Sequence, residues 1–150
     1  MTIEEIKSVD DVAIKTKYIP IALKMLECDL IIKSAYYTTM KIGDIEKKIF
    51  RQNTVAKRVL LNMMLIDKYT NIEFDKARVF DEYDKLMERE LMLPIIEKIP
   101  ESEILEFHDI MESMIHDIFV NERDLVSYID NKLEALNLSL DDMITSLAKK

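Results

Sequence analysis

The sequence has little of what tight turns, disulfide bonds and phosphate loops require. Its 150 residues include one glycine, three prolines, one cysteine and no tryptophan. With Gly43 alone, neither a P-loop nor a dinucleotide-binding fingerprint can be formed, because both need several glycines at fixed spacing. A single cysteine excludes an internal disulfide and a zinc site built from thiolates, and it fits a reducing compartment. Sheet proteins use glycine-rich turns, so this scarcity predicts a mainly helical fold.

Long apolar runs are also missing. No segment of the sequence reaches the roughly 18 uncharged apolar residues that a membrane-spanning helix needs. Residues 1–11 are acidic and lack the apolar stretch of a signal peptide. These two absences predict a protein that is made and kept in the cytoplasm.

What the chain does contain is typical of a globular helical protein. Hydrophobic residues make up 49% of the sequence and charged residues 33%, and 150 residues suffice for one domain with a buried core. Apolar residues recur at helical spacing almost throughout. We therefore predict an all-α fold with one domain over residues 1–150. The architecture we expect is a compact bundle of six to eight helices around a buried central helix at about 54–70.

The central position of that helix follows from its composition. Between Val59 and Ile66 only Asn62 is polar, and a helix that is apolar all round is buried all round. Asn53 or Thr54 can cap its start. Periodicity and capping residues predict further helices at about 2–8, 21–37, 76–99 with a division at Pro94, 101–122, 125–136 and from Ser139 onward, and a short amphipathic piece at 45–50.

The net charge of −8 is unevenly distributed along the chain. Residues 1–75 carry 12 basic and 11 acidic side chains, and residues 76–150 carry 9 basic and 18 acidic ones. An acidic protein is not attracted to nucleic acid or to an anionic membrane by its overall field. The two unlike regions are either solvated helix faces or patches that meet between copies of the chain. The candidate partner-binding residues are Lys47, Lys48 and Arg51 in the basic region, and Glu103, Glu106, Asp109, Glu112 and Asp117 in the acidic helix 101–122.

Other constellations favour ordinary structural roles. His108, Glu112 and His116 stand four residues apart, a spacing that could hold zinc or iron, but they match neither a metalloprotease helix nor a di-iron bundle. A helix-turn-helix over 42–61 lacks the turn glycine, so nucleic acid is not an expected partner. The ten methionines are either core filling or a surface that adapts to a partner. We expect no catalytic residue, metal or cofactor.

Several short runs in the chain are similar to those of one group of proteins. These are Tyr69-Thr-Asn-Ile-Glu-Phe74, Phe80–Leu86, Ile99–Ile104 and Asn121-Glu122. They resemble small helical proteins encoded by phages and prophages of low-GC Gram-positive bacteria, over about residues 18–130. The resemblance implies a viral origin and a location in the bacterial host cytoplasm or in the virion. It implies no functional residue.

These observations together predict a non-enzymatic interaction protein. We expect a phage-encoded virion assembly or structural factor, which self-associates or binds a protein partner through the basic region and the acidic helix. Complementary patches of this kind close into rings or extend into filaments, depending on the rotation between copies. The alternative is a phage inhibitor of a host defence or nucleic-acid enzyme, whose acidic helix 101–122 imitates a row of phosphates.

Overall fold

A computed structural model describes residues 1–121 of the chain, apart from the side chain of Met40. The chain divides into two units, Met1–Glu112 and Ser113–Lys150, and of the second unit only residues 113–121 are described. This division does not test the prediction of a single domain. The predicted helices at 125–136 and from Ser139 onward lie outside the described residues.

Helices and one small antiparallel sheet form the described part of the chain. The helices are α1 (Ile21–Tyr36), α2 (Thr54–Tyr69), α3 (Val79–Glu88), α4 (Met92–Glu97) and α5 (residues 101–121), and the strands are β1 (Tyr37–Ile42) and β2 (Ile45–Phe50). Single turns of 3₁₀-helix lie at Ile3–Glu5, Val9–Asp11 and Lys76–Arg78. The fold class is therefore α+β, and the predicted all-α bundle of six to eight helices is wrong.

The error lies at residues 37–50, where a helix end and a short amphipathic helix were expected. β1 and β2 instead form a hairpin in which Ile42 pairs with Ile45 across a two-residue turn. Gly43 has a φ of +63°, while Asp44 has no positive φ, as in a type II′ turn with glycine at its first central position. One glycine suffices for one such hairpin, so the scarcity of glycine did not exclude a sheet.

Helix α2 lies within the predicted bounds of the central helix, and seven of its 16 residues are buried, all of them from Val59 onward. Asn53 caps it as expected, since its side chain accepts a hydrogen bond of 3.0 Å from the backbone amide of Ala56. Its buried residues Val59, Met63 and Ile66 belong to an apolar core cluster. The other members of that core come from the N-terminal segment, the 72–74 link, α3 and α4: Ile3, Ile6, Val12, Ile72, Leu86, Met92 and Ile95.

The N-terminal segment is held to the 69–73 link by the backbone. Thr2 and Glu73 form a parallel bridge, and Ile14 and Thr70 form an antiparallel one. Lys98 adds side-chain hydrogen bonds to the carbonyl oxygens of Val9 and Val12, at 2.8 and 2.6 Å, and the guanidinium of Arg89 donates to those of Ile3 and Ile6. These contacts position residues 1–15 without a regular strand or long helix.

Candidate functional site: a hairpin arm and an apolar groove

The hairpin Tyr37–Phe50, here called the arm, is the most exposed part of the first unit. Every residue from Thr38 to Lys48 whose side chain is described is exposed. The sheet has two strands among the described residues, so the outer edge of each strand carries backbone groups without a neighbouring strand. Such edges are templates for pairing with another chain. An isolated two-stranded hairpin is also only marginally stable in water.

The arm is anchored at its base. The ring of Phe50 packs edge-on against Tyr36 and Tyr37, with centroid distances of 5.7 and 5.4 Å. The backbone amide of Arg51 donates a hydrogen bond of 2.5 Å to the carbonyl oxygen of Tyr36. Aromatic pairs of this geometry stabilise by about 0.5–1.5 kcal/mol beyond the area they bury. The base is therefore fixed to the end of α1, whereas the tip has no comparable aromatic contact with another residue of the described range 1–121.

The two faces of the arm differ in chemistry. Because paired residues share a face and the faces alternate along a strand, Ile42, Ile45 and Lys47 lie on one face. Lys48 lies on the opposite face, together with the pair Lys41–Glu46, whose charged atoms are 3.7 Å apart. Ile42 is 63% exposed and Ile45 is 70% exposed. The tip thus presents two branched aliphatic side chains to solvent, side by side.

The second feature is a groove between α1, α2 and the start of α3, here called the apolar groove. Its cavity volume is about 340 Å³, at the lower end of the range for ligand pockets. The apolar residues that line it are Leu30, Ile31, Leu60, Met63, Met64, Phe74 and Val79. Methionine side chains adapt their shape to a bound group, so the two buried methionines give the groove an adaptable floor.

A row of alternating charges also lines the groove. The ammonium of Lys68 lies 3.0 Å from the Glu27 carboxylate and 3.7 Å from that of Asp67, and Lys76 lies 3.1 Å from Asp67. The hydrogen bond with Glu27 raises the pKa of Lys68 above its ordinary value, although burial opposes the change. These ion pairs leave the rim of the groove polar but without local net charge. The apolar wall is therefore the surface that a bound group would contact most favourably.

Leu30 extends this wall onto the outer face of α1. Leu23, Leu26 and Leu30 are each about half exposed and follow one another at helical spacing. A soluble surface helix usually turns charged or polar residues outward on such a face. α1 is apolar on both its buried and its exposed sides, which is typical of a helix that contacts a further surface.

A buried ionic cluster lies on the opposite side of α1. The Lys24 ammonium, fully buried, is 2.6 Å from the Glu103 carboxylate and 3.1 Å from that of Glu106. The Tyr69 hydroxyl donates a hydrogen bond of 2.5 Å to Glu103, and the Lys24 ammonium stands 4.8 Å from the centre of the Tyr18 ring. Lys24 was not among the candidate residues predicted from the sequence. The sequence feature that could have identified it is a lysine on the apolar face of α1.

The cluster keeps both partners charged. Burial alone would lower the pKa of Lys24 and raise that of Glu103, but the hydrogen bonds and opposite charges outweigh it. The pKa of Lys24 is therefore raised and that of Glu103 is lowered. Burial, with the hydrogen bond to Glu103, raises the pKa of Tyr69. These groups hold α1, α2 and α5 together as a charged core contact.

The acidic residues predicted to bind a partner are placed differently from one another. Two of them belong to the buried cluster just described. Glu112 pairs with Lys57 at 2.8 Å. Asp109 is exposed and makes no ion pair with another described residue, and Asp117, in the second unit, is exposed as well. The structure does not bring the acidic residues of Met1–Glu112 into one free patch.

The basic candidates, in contrast, lie on or next to the arm, with Lys47 and Lys48 on its opposite faces. Lys47 and Lys48 lie on β2, Arg51 follows it directly, and all three are exposed. The sequence analysis identified these residues but not the hairpin that carries them. It also missed Ile42 and Ile45, although a Gly-Asp pair between two isoleucines is a signal for a hairpin turn.

The remaining candidates for chemistry are dispersed. His108 lines a second cavity of about 340 Å³, together with Lys57 and Arg58. Cys28 is buried, and burial with the neighbouring Glu27 raises the pKa of its thiol to about 11. Over residues 1–121, no group of three or more histidine, cysteine and acidic side chains is arranged to hold a metal ion.

Comparison of the chain with protein-family models, with curated proteins and with solved structures found no match. The resemblance to phage proteins therefore stays a prediction. Among the described residues, no helix has the length and apolar character needed to cross a membrane.

Proposed function

We propose that this protein is a non-enzymatic assembly protein that binds further copies of itself through the arm. The observation that carries the proposal is the exposure of Ile42 and Ile45 at the tip of a hairpin whose aromatic anchor lies at its base. Burial of one such side chain is worth about 1.5–3 kcal/mol relative to leaving it in water. A contact that covers the tip therefore stabilises both the arm and the assembly.

The charge distribution supports a contact between the arm and the rest of another copy. The arm contains three basic and two acidic side chains and is followed directly by the basic Arg51, while the whole chain has a net charge of −8. The arm with Arg51 is therefore basic and the remainder of the chain is strongly acidic. Two arms repel each other, whereas an arm is attracted to the body of any other copy.

The predicted inhibitor of a host enzyme through the acidic helix is not favoured by a specific observation. Glu103, Glu106 and Glu112 already form ion pairs within the chain, so a partner would have to compete for them. The cytoplasmic location belongs to the proposal and rests on the sequence alone.

The test is the mass of the protein in solution, measured by light scattering after gel filtration at low and at high salt. We expect the wild type to assemble and a double variant, Ile42→Thr with Ile45→Thr, to be a monomer. Threonine has a high strand propensity, so the variant retains the arm. Leu93→Gln is the matched control, because Leu93 is 70% exposed, like Ile45, but lies on α4. A monomeric wild type at both salts would overturn the proposal.

Charge reversal tests the electrostatic part separately. Replacing Lys47, Lys48 and Arg51 by glutamate is expected to weaken assembly most at low salt, where surface charges are least screened. An unchanged mass would show that the basic side chains do not contribute to the contact.

A further inference from the structure

The apolar groove and the arm tip are both uncovered in the same molecule. Ile42 and Ile45 are more than half exposed, and the groove is open to solvent with Leu30 half exposed at its edge. The tip of a given copy therefore does not occupy its own groove. If the two surfaces meet, they meet between copies.

We infer that the apolar groove is the acceptor for the arm tip of a second copy, an inference that rests on the function proposed above. Because Ile42 and Ile45 are directly paired in the register, their side chains stand next to each other on one face. They form a two-pronged apolar projection. The groove offers an apolar wall and a floor of adaptable methionines, and a volume of about 340 Å³ for such a projection.

The charges around the two surfaces are also compatible. Lys47 shares the face of the tip isoleucines, and Glu27 and Asp67 line the groove. Lys68 and Lys76 also line the groove and pair with these carboxylates, so the rim is locally neutral and does not repel Lys47. The attraction between copies comes from the basic arm region and the acidic remainder of the chain.

This contact is heterologous, since the donor and acceptor surfaces are different. Each copy donates one tip and accepts one tip, so assembly proceeds head to tail and closes into a ring or continues as a filament. An isologous contact between two exposed faces of α1 would instead stop at a dimer. The two arrangements give different results when variants are mixed.

The experiment uses a donor-deficient variant, Ile42→Thr with Ile45→Thr, and an acceptor-deficient variant, Leu30→Lys. Leu30 is half exposed, so a lysine there is compatible with folding, and its charge repels the basic arm. Met25→Lys is the matched control: Met25 is 51% exposed on the same helix, but it neither lines the groove nor shares the helix face of Leu23, Leu26 and Leu30. Circular dichroism of every variant checks that the fold is retained.

Each deficient variant alone is expected to be a monomer of 17.7 kDa, while Met25→Lys assembles like the wild type. An equimolar mixture of the two deficient variants is expected to give a species of twice that mass and nothing larger, because one working tip and one working groove remain. Light scattering after gel filtration measures both results.

The contrary outcomes are distinct. If Leu30→Lys assembles like the wild type while the donor-deficient variant does not, the arm has another acceptor; the inference is then wrong and the proposed function stands. If the mixture stays monomeric, the tip and the groove are not partners. If the donor-deficient variant assembles fully, the proposed function fails together with the inference.

Discussion

Replacing Lys24 by methionine should destabilise the fold strongly. The substitution removes the cation that lies 2.6 Å from the buried Glu103 carboxylate. The partners that remain for Glu103 are the Tyr69 hydroxyl at 2.5 Å and the Ile19 amide at a long 3.5 Å. Removing one partner of a buried ion pair costs about 3–5 kcal/mol, because the other charge is left uncompensated. Domains have a total stability of about 5–15 kcal/mol, so much of it would be lost.

The loss in the free energy of unfolding that Lys24→Met causes should depend on pH in a defined direction. In the wild type the pKa of Glu103 is lowered, so the stabilisation by the pair is present above the ordinary glutamate pKa of 4.5 and is lost as the pH falls through the lowered value. In Lys24→Met, burial without a cation raises the pKa of Glu103. Protonation then relieves the buried charge. The difference between variant and wild type is therefore greatest at neutral pH and shrinks under mild acid.

Urea unfolding followed by circular dichroism at several pH values measures this difference. A double variant, Lys24→Met with Glu103→Gln, should recover part of the loss, since no ionised carboxylate remains at position 103. Lys33→Met is the control: Lys33 pairs with Asp29 at 2.7 Å on the surface, and such pairs contribute about 0–1 kcal/mol. A cost for Lys24→Met below about 1 kcal/mol at neutral pH, or one that does not change with pH, would refute the reasoning.

Three further changes test other parts of the structure. Gly43→Ala adds a Cβ that meets no atom within 4 Å, but alanine must then adopt a φ of +63°, at a cost of about 1–2 kcal/mol. Amide hydrogen exchange should therefore become faster in residues 37–50, and unchanged exchange there would contradict this prediction. The Cys28 thiol should resist alkylation at about pH 8 until urea unfolds the protein, because the thiol is buried and its pKa is raised to about 11. Rapid labelling of the native protein would contradict this prediction. Arg89→Ala removes hydrogen bonds to the carbonyl oxygens of Ile3 and Ile6, and each such bond with a charged donor contributes about 2 kcal/mol. Proteolysis within residues 1–12 should therefore be faster in the variant than in the wild type. Equal rates of cleavage in the two proteins would count against this anchoring.

Helical periodicity predicted α1 and α2 well, but the helix expected at about 2–8 is a single 3₁₀ turn at Ile3–Glu5, and the division expected at Pro94 lies at residues 89–91 instead. The bounds of α2 were expected from its continuous apolar run and from the cap at Asn53, and both are confirmed. At 45–50 the same criterion failed, because Ile45 and Ile49, four residues apart, share one face of a strand as well as one face of a helix. In a segment this short the turn residues decide between the two periods, and Gly43 with Asp44 favoured the hairpin.

The site was predicted only in part for a different reason. Lys47, Lys48 and Arg51 could be found from local charge alone. The sequence could not show whether the Glu103 carboxylate is free to bind a partner. Its ion-pair partner Lys24 lies 79 residues away in the sequence, and only tertiary packing brings the two together. Patterns in a single sequence do not show which residues that are distant along the chain form an ion pair. The same limit applies to the apolar groove, whose walls come from three helices.

The attachment of residues 1–15 to the 69–73 link has a consequence during synthesis. Ile3, Ile6 and Val12 leave the ribosome well before Ile72 and the later core helices that cover them. Met1 and its hydrogen-bond partner Asn71 are 70 residues apart, an interval of about 4–14 s at 5–20 residues per second. Throughout that time the apolar side chains of residues 3–12 are open to chaperones, and native packing of this segment begins only after α2 has emerged.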